Sequence, residues 1–343
     1  VTAALGTAQR TSILLIMALV LIYTFEGGMK AVIWTDVVQF ALYICGSLAA
    51  FFLLLHRIPG GWETVVQAAA PAHKFRVLDF SFSLTNPAKL YTFWSGVIGG
   101  TFFTMGSHGT DQTIVQRLLA AKSERESKLA LLASGVIILL QFALFLMLGV
   151  MLYAWHGAPA IVSGRSYDSI FPDFIVTAMP PGARGLMIAA ILAVAMSNAS
   201  GSLNSLAASS VVDFQQLRGL QKLEENPEGL LRRSRWMTLV WGIALAALAT
   251  VQWGPMLVAG LTIAAITLGS LLGLFLLTFL FPRATAPGVL SGMFAGLAVI
   301  LYVHFRTPLL WTWYVPLSAG VTFLVGATVS VAAKPSELTR ETR

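Results

Sequence analysis

Long apolar stretches alternate with short polar ones along nearly the whole chain. Nine of them, at about 11–26, 30–55, 91–117, 128–156, 184–213, 234–252, 256–281, 287–305 and 309–332, read as membrane crossings. A helix rises about 1.5 Å per residue, so about 20 residues cross the hydrocarbon layer. The pattern predicts an all-α polytopic membrane protein with about nine transmembrane helices, a single domain over residues 1–343 with no soluble domain. The first stretch follows Arg10, as a signal peptide would follow a basic residue. No small-residue cleavage site comes after it, and Glu26-Gly27-Gly28 leads straight into the next span. The links 56–90 and 157–183 are the longest. Each contains a weakly amphipathic stretch, Trp62–Ala70 and Asp168–Met179, expected as a short helix along the surface.

Composition agrees. Of 343 residues 57% are apolar types and 11% are charged, against about 25% charged in soluble domains. A cytosolic enzyme, a disordered chain and a disulfide scaffold are excluded, the last because Cys45 is the single cysteine. The net charge of +7 would suit nucleic acid, but the basic residues sit in the links between spans, so no nucleic-acid partner is expected. With the 26–30 link in the cytoplasm, 14 of the 22 Lys and Arg fall inside and 8 outside. That bias predicts a multi-pass protein of the plasma or inner membrane with a cytoplasmic C-terminus.

Polar residues at membrane depth need a reason, because each costs a few kcal/mol. Asp36 and Gln39 share a helix face in the second span, either as a structural pair at the interface or as a functional one. The third span carries Thr104-Met105-Gly106-Ser107-His108-Gly109-Thr110-Asp111-Gln112. Two glycines among polar residues predict a helix broken across Met105–Gly109, which would turn backbone and side chains toward a ligand. The competing reading is a kinked helix packed through small residues, and His108 alone reads as a packed histidine. In the fifth span Val194, Ser197, Asn198, Gly201 and Ser205 fall on one face. Neutral oxygens of this kind suit a weakly held monovalent cation, and small residues of this kind equally suit close helix packing. Gly269-xxx-Gly273 and Gly288-xxx-Gly292-xxx-Gly296 read as close packing of helices.

Three segments carry a resemblance: Gly27-Gly28-Met29-Lys30-Ala31-Val32-Ile33-Trp34-Thr35-Asp36 with Gln39, Gly109-Thr110-Asp111-Gln112-Thr113-Ile114-Val115-Gln116-Arg117, and Gly185 through Ser205, ending at Asp213. In sequence, order and spacing they resemble the sodium/solute symporter family of sodium-driven sugar, proline, iodide and monocarboxylate carriers, over about residues 9–305. The resemblance implies a LeuT-like fold of two inverted five-helix repeats, with ion and substrate near the midplane. It implies that Val194, Ser197 and Asn198 hold Na+, the coupling ion. Asn198 departs from the family, which usually has Ser or Thr there, and this leaves proton coupling open. Ser107 stands where sugar carriers place a tyrosine gate, so no sugar-stacking gate is expected.

The resemblance further implies that the chain, which opens on Val1, starts at the fourth core helix, so that the first repeat is incomplete. The implied function is sodium-coupled symport of a small polar organic solute across the bilayer by alternating access. Thr104, Ser107, His108, Asp111 and Gln112 would line the substrate path, and Asp36 and Gln39 would order its cytoplasmic end. The alternatives are an intramembrane enzyme of the aspartyl-protease or lipid-transferase type, resting on Asp36 and Asp111, and a non-transporting fragment of a symporter. Neither aspartate sits in a catalytic motif, and the chain is read as a non-enzyme.

Overall fold

The computed structural model describes residues 9–24, 29–111, 114–115, 118, 121–157, 167–213, 227–251 and 255–333. No strand occurs among the described residues. The helices are α1 (Gln9–Thr24), α2 (Met29–Arg57), α3 (Gly61–Ala69), α4 (Thr101–Thr110), α5 (Glu124–His156), α6 (Ile170–Ala178), α7 (Pro181–Ala208), α8 (Pro227–Ala249), α9 (Met256–Leu280), α10 (Ala286–Arg306) and α11 (Tyr314–Ala332). Single 3-10 turns stand at Pro87–Lys89, Tyr167–Ser169 and Trp311–Trp313. A π-helical segment, Ser95–Gly100, leads into α4, and another, Ser209–Asp213, prolongs α7. Among the described residues, six segments are long and apolar enough to cross a membrane: Val37–Arg57, Glu124–His156, Pro181–Val211, Met256–Leu280, Ala286–Arg306 and Trp311–Ala332.

Local chemistry sets several helix ends. Ser123 Oγ accepts the Glu126 amide at the start of α5, and Glu126 reaches back to the Lys122 amide. Thr285 Oγ1 accepts the Gly288 amide at the start of α10, where Pro287 supplies the preset φ of a first turn. Both amphipathic stretches form helices, α3 and α6. They do more than lie along a surface, because Val65 and Ala69 of α3 and Phe174 and Ile175 of α6 are fully or almost fully buried.

The described residues divide into two compact units. Unit 1 comprises residues 1–75 and 133–253, and unit 2 comprises residues 76–132 and 254–343. In unit 1, α7 is central and packs against α1, α2, α6 and α8. Its apolar core joins Ala50 and Leu54 of α2, Val65 of α3, Met151 of α5, Phe174 of α6 and Met187 of α7. Trp241 of α8 donates to Ser210 Oγ at 2.9 Å, fixing the π-helical end of α7.

In unit 2, α9, α10 and α11 pack on one another and α4 packs on α9. Glycines make this possible. A methyl group on Gly269 would lie 2.6 Å from Ser318 Cβ, and one on Gly273 the same distance from Thr322 Cβ. Methyl groups on Gly288, Gly292 and Gly296 would meet Ser330, Gly326, Thr322 and Ser318. Both glycine runs are therefore packing seams, as their spacing predicts. The link 76–94 is tied to this unit by Leu310 N donating to Leu84 O at 2.8 Å and Trp313 Nε1 to Ser83 O at 3.3 Å. Within the link, Arg76 and Lys89 both pair with Asp79, at 3.0 and 3.1 Å.

Candidate functional site

The sodium candidates lie on α7 in unit 1. A cavity of about 670 Å³ is walled by Tyr43 and Ser47 of α2, Gln141 and Phe145 of α5, and Ile191 and Val194 of α7, among others. Met187, Ile191, Val194 and Ala195 face it at helical spacing, and Asn198 follows on the same stripe. Ser197 is half-buried and Asn198 is exposed. α7 runs as regular α-helix through these residues, so the Val194 carbonyl has one lone pair beyond its helical bond. One helix face thus offers a carbonyl, a hydroxyl and an amide oxygen. All three suit a hard cation, though a full coordination shell needs oxygens from a further element. Gln39 is half-buried on α2, which packs against α7. The Asp36 and Asp213 side chains lie outside the described residues.

The cavity wall also holds polar groups that the spacing arguments missed. Tyr43 Oη donates to Gln141 Oε1 at 3.2 Å, and Ser47 Oγ donates to the Tyr43 carbonyl at 2.7 Å. Gln141 sits in Leu139-Leu140-Gln141-Phe142, an amide deep in an apolar stretch, and that was the signal available in the sequence.

The substrate-path candidates lie in unit 2, and the structure corrects one expectation there. Met105–Gly109 does not break the helix, since α4 is continuous from Thr101 to Thr110. The polar side chains are satisfied by the helix itself. Ser107 Oγ donates to Thr104 O at 3.2 Å, His108 Nδ1 lies 3.2 Å from the same oxygen and 2.9 Å from Ser107 Oγ, and Thr110 Oγ1 donates to Gly106 O at 2.7 Å. Gly106 is a packing glycine, where a methyl group would lie 3.2 Å from Leu268 Cβ.

The regular helix stops at Asp111, whose φ of −75° and ψ of 115° are extended. Its carbonyl accepts the Val115 amide at 2.9 Å and its carboxylate the Ile114 amide at 3.4 Å, the bonding of an N-cap to a new turn. The interruption therefore exists, but at the aspartate. Thr104, Ser107 and His108 form one hydrogen-bonded cluster, and Asp111 marks the end of the helix that carries them. Gln112 lies outside the described residues. Among the described residues, no group of three His, Cys, Asp or Glu could hold a transition metal.

Comparison with known proteins gives this geometry its context. The model of the sodium:solute symporter family matches residues 1–296. The human sodium/iodide cotransporter is 34% identical over 292 residues, covering 82% of this chain and 44% of that protein. A sodium/sialic acid symporter of Aliivibrio fischeri is 30% identical over 323 residues, covering 92% of this chain and 62% of that protein. A solved structure of a Na+-coupled sialic acid symporter, substrate-bound and outward-open, superposes with a TM-score of 0.79 at 26% identity, covering 97% of this chain and 68% of that one. The chain spans about half the length of the curated relatives it matches. On the family match, on identities of 34% and 30%, and on a shared all-helical fold, the chain belongs to the sodium:solute symporter family.

Proposed function

We propose that the protein bearing this chain is a secondary active transporter that couples sodium entry to the uptake of a small polar organic solute by alternating access. The observation that carries the reading is the α7 face on which Val194, Ser197 and Asn198 follow one another beside the unit 1 cavity, in a chain of a sodium:solute symporter family. Neutral oxygens bind the ion weakly enough to release it each cycle. Each sodium ion entering gains about 2.3 kcal/mol per 100 mV of membrane potential. Thr104, Ser107, His108, Asp111 and Gln112 line the solute's path, and Asp36 with Gln39 orders its cytoplasmic end. The chain crosses a plasma or inner membrane about nine times as one transmembrane domain, with its C-terminus in the cytoplasm.

The test is uptake by the intact protein in vesicles, measured against sodium concentration at fixed membrane potential. Ser197→Ala removes one oxygen and adds no bulk. It should raise the sodium concentration needed for half-maximal uptake while leaving the amount of folded protein unchanged. An unaltered sodium dependence in Ser197→Ala would assign this face to helix packing instead.

A further inference from the structure

The unit 1 cavity, of about 670 Å³, has the size usual for small-molecule sites, about 300–1,000 Å³. One stripe of α5 forms much of its wall, with Gln141, Phe145, Leu148, Gly149 and Leu152 at helical spacing. Gly149 keeps that wall open. A methyl group on it would meet nothing within 4 Å, whereas one on Gly46 of α2 would lie 2.6 Å from Met187 Cε. Close helix packing thus accounts for Gly46 but not for Gly149.

The same wall carries unused donors. The Tyr43 hydroxyl donates to Gln141 Oε1 and so sets which way the amide is turned. Both N–H groups of Gln141 Nε2 remain, and among the described residues nothing accepts from them. None of the lining residues is charged. Val194, whose carbonyl belongs to the sodium face, is part of the wall, so an ion held there stands beside the cavity. It repels a second cation and attracts an oxygen that bears negative charge. Apolar side chains of a packed helix would strand the amide, whereas an oxygen acceptor satisfies it.

We propose, resting on the sodium-coupled reading above, that this cavity seats the transported solute and that Gln141 selects it by donating to a carbonyl or carboxylate oxygen on an apolar body. The body packs against Phe145, Leu148 and Met187, which line the cavity. Amines are rejected by the neighbouring ion, and polyols because a mostly apolar wall strands their hydroxyls.

The test is thermal unfolding of the intact protein in one detergent, titrated with benzoate in sodium chloride and in choline chloride. Sodium alone should raise the melting temperature of the wild type more than that of Ser197→Ala, and benzoate should raise it further when sodium is present. Benzylamine has the same ring and no acceptor, and should not. Gln141→Glu still offers the Tyr43 hydroxyl an oxygen but has lost the amide N–H groups. It should need at least about tenfold more benzoate for the half-maximal shift, where a purely structural role would leave the requirement unchanged. Gly149→Leu fills the cavity and should abolish the shift, while Gly320→Leu, at a glycine of α11 that also faces open space, should keep it. No benzoate shift in the wild type, an equal shift with benzylamine, or an undiminished shift in Gly149→Leu or Gln141→Glu overturns the proposal. Stabilisation by sodium alone, lost in Ser197→Ala, would let the sodium reading survive that failure. A benzoate shift equal in choline, yet lost in both cavity variants, would keep the seat and retire sodium coupling.

Discussion

The Tyr43 hydroxyl donates to the Gln141 side-chain oxygen at 3.2 Å, pairing two residues 98 positions apart in the wall of the unit 1 cavity. Tyr43→Phe deletes the donor and leaves the amide beside apolar neighbours, at an expected cost of about 1–2 kcal/mol. Gln141→Leu should cost a similar amount by stranding the hydroxyl. The double variant should recover much of the loss, because an unpaired polar group is worse than none. Thermal unfolding of the four proteins in one detergent checks this. Strictly additive losses would mean that the pair does not interact.

Gly292 approaches α11 so closely that a methyl group on it would meet the Thr322 carbonyl and lie 3.0 Å from Gly326 Cα. Backbone on the far side cannot swing away as a side-chain tip can. Gly292→Ala should destabilise unit 2 by about 1–3 kcal/mol through overpacking. Gly320→Ala has open space and gains helix propensity, so it should be neutral or stabilising by up to about 1 kcal/mol. The contrast between the two melting temperatures is the measurement.

Asp79 anchors the link 76–94, and its carboxyl is held well below the usual carboxylate range. Ser81 contributes most, its amide donating to the carboxylate at 2.9 Å, then the Lys89 ammonium, with the Arg76 guanidinium adding less. A depressed pKa in the folded state contributes stability that is fully present above the unfolded value and is lost progressively as pH falls from there through the folded one. The link should therefore be fully held at neutral pH and loosen progressively as pH falls below the ordinary carboxylate value. Protease sensitivity of the link against pH reports this. Asp79→Asn should make cleavage fast already at neutral pH and flatten its dependence on pH.

The helical segments were legible because apolar length is a strong signal, and so were the glycine seams, because three- and four-residue spacing fixes a helix face. The site was legible only in part. Around Ser107 and His108, polar residues suggested a break, yet hydroxyls and an imidazole can bond to carbonyls three or four residues back and leave the helix intact. Glycine counts did not help, since Gly106 is there for Leu268. The residue that ends the helix is Asp111, a capping residue type, and capping chemistry was the better guide. The Tyr43–Gln141 bond joins distant helices, so local spacing does not reveal it. The π-helical segment Ser95–Gly100 is likewise marked by no apolar periodicity.

The last prediction concerns Asn198, the departure from the family's usual hydroxyl pair. Its amide offers an oxygen, as a hydroxyl does, but on a longer side chain, and it is exposed on α7 while Ser197 is half-buried. Asn198→Ser shortens the reach and restores two adjacent hydroxyls beside the Val194 carbonyl. If this face holds sodium, the variant should keep sodium-driven uptake and need no more sodium for half-maximal rate than the wild type. Combining it with Ser197→Ala should raise the sodium concentration needed, since one hydroxyl of the pair would be missing. The assay is uptake by the intact protein at fixed membrane potential, with sodium and pH gradients imposed separately. Uptake that follows the pH gradient and ignores sodium in both proteins would retire sodium as the ion. The proton would then need a carboxylate on the path, and Asp111, where α4 ends, would be the residue to substitute next.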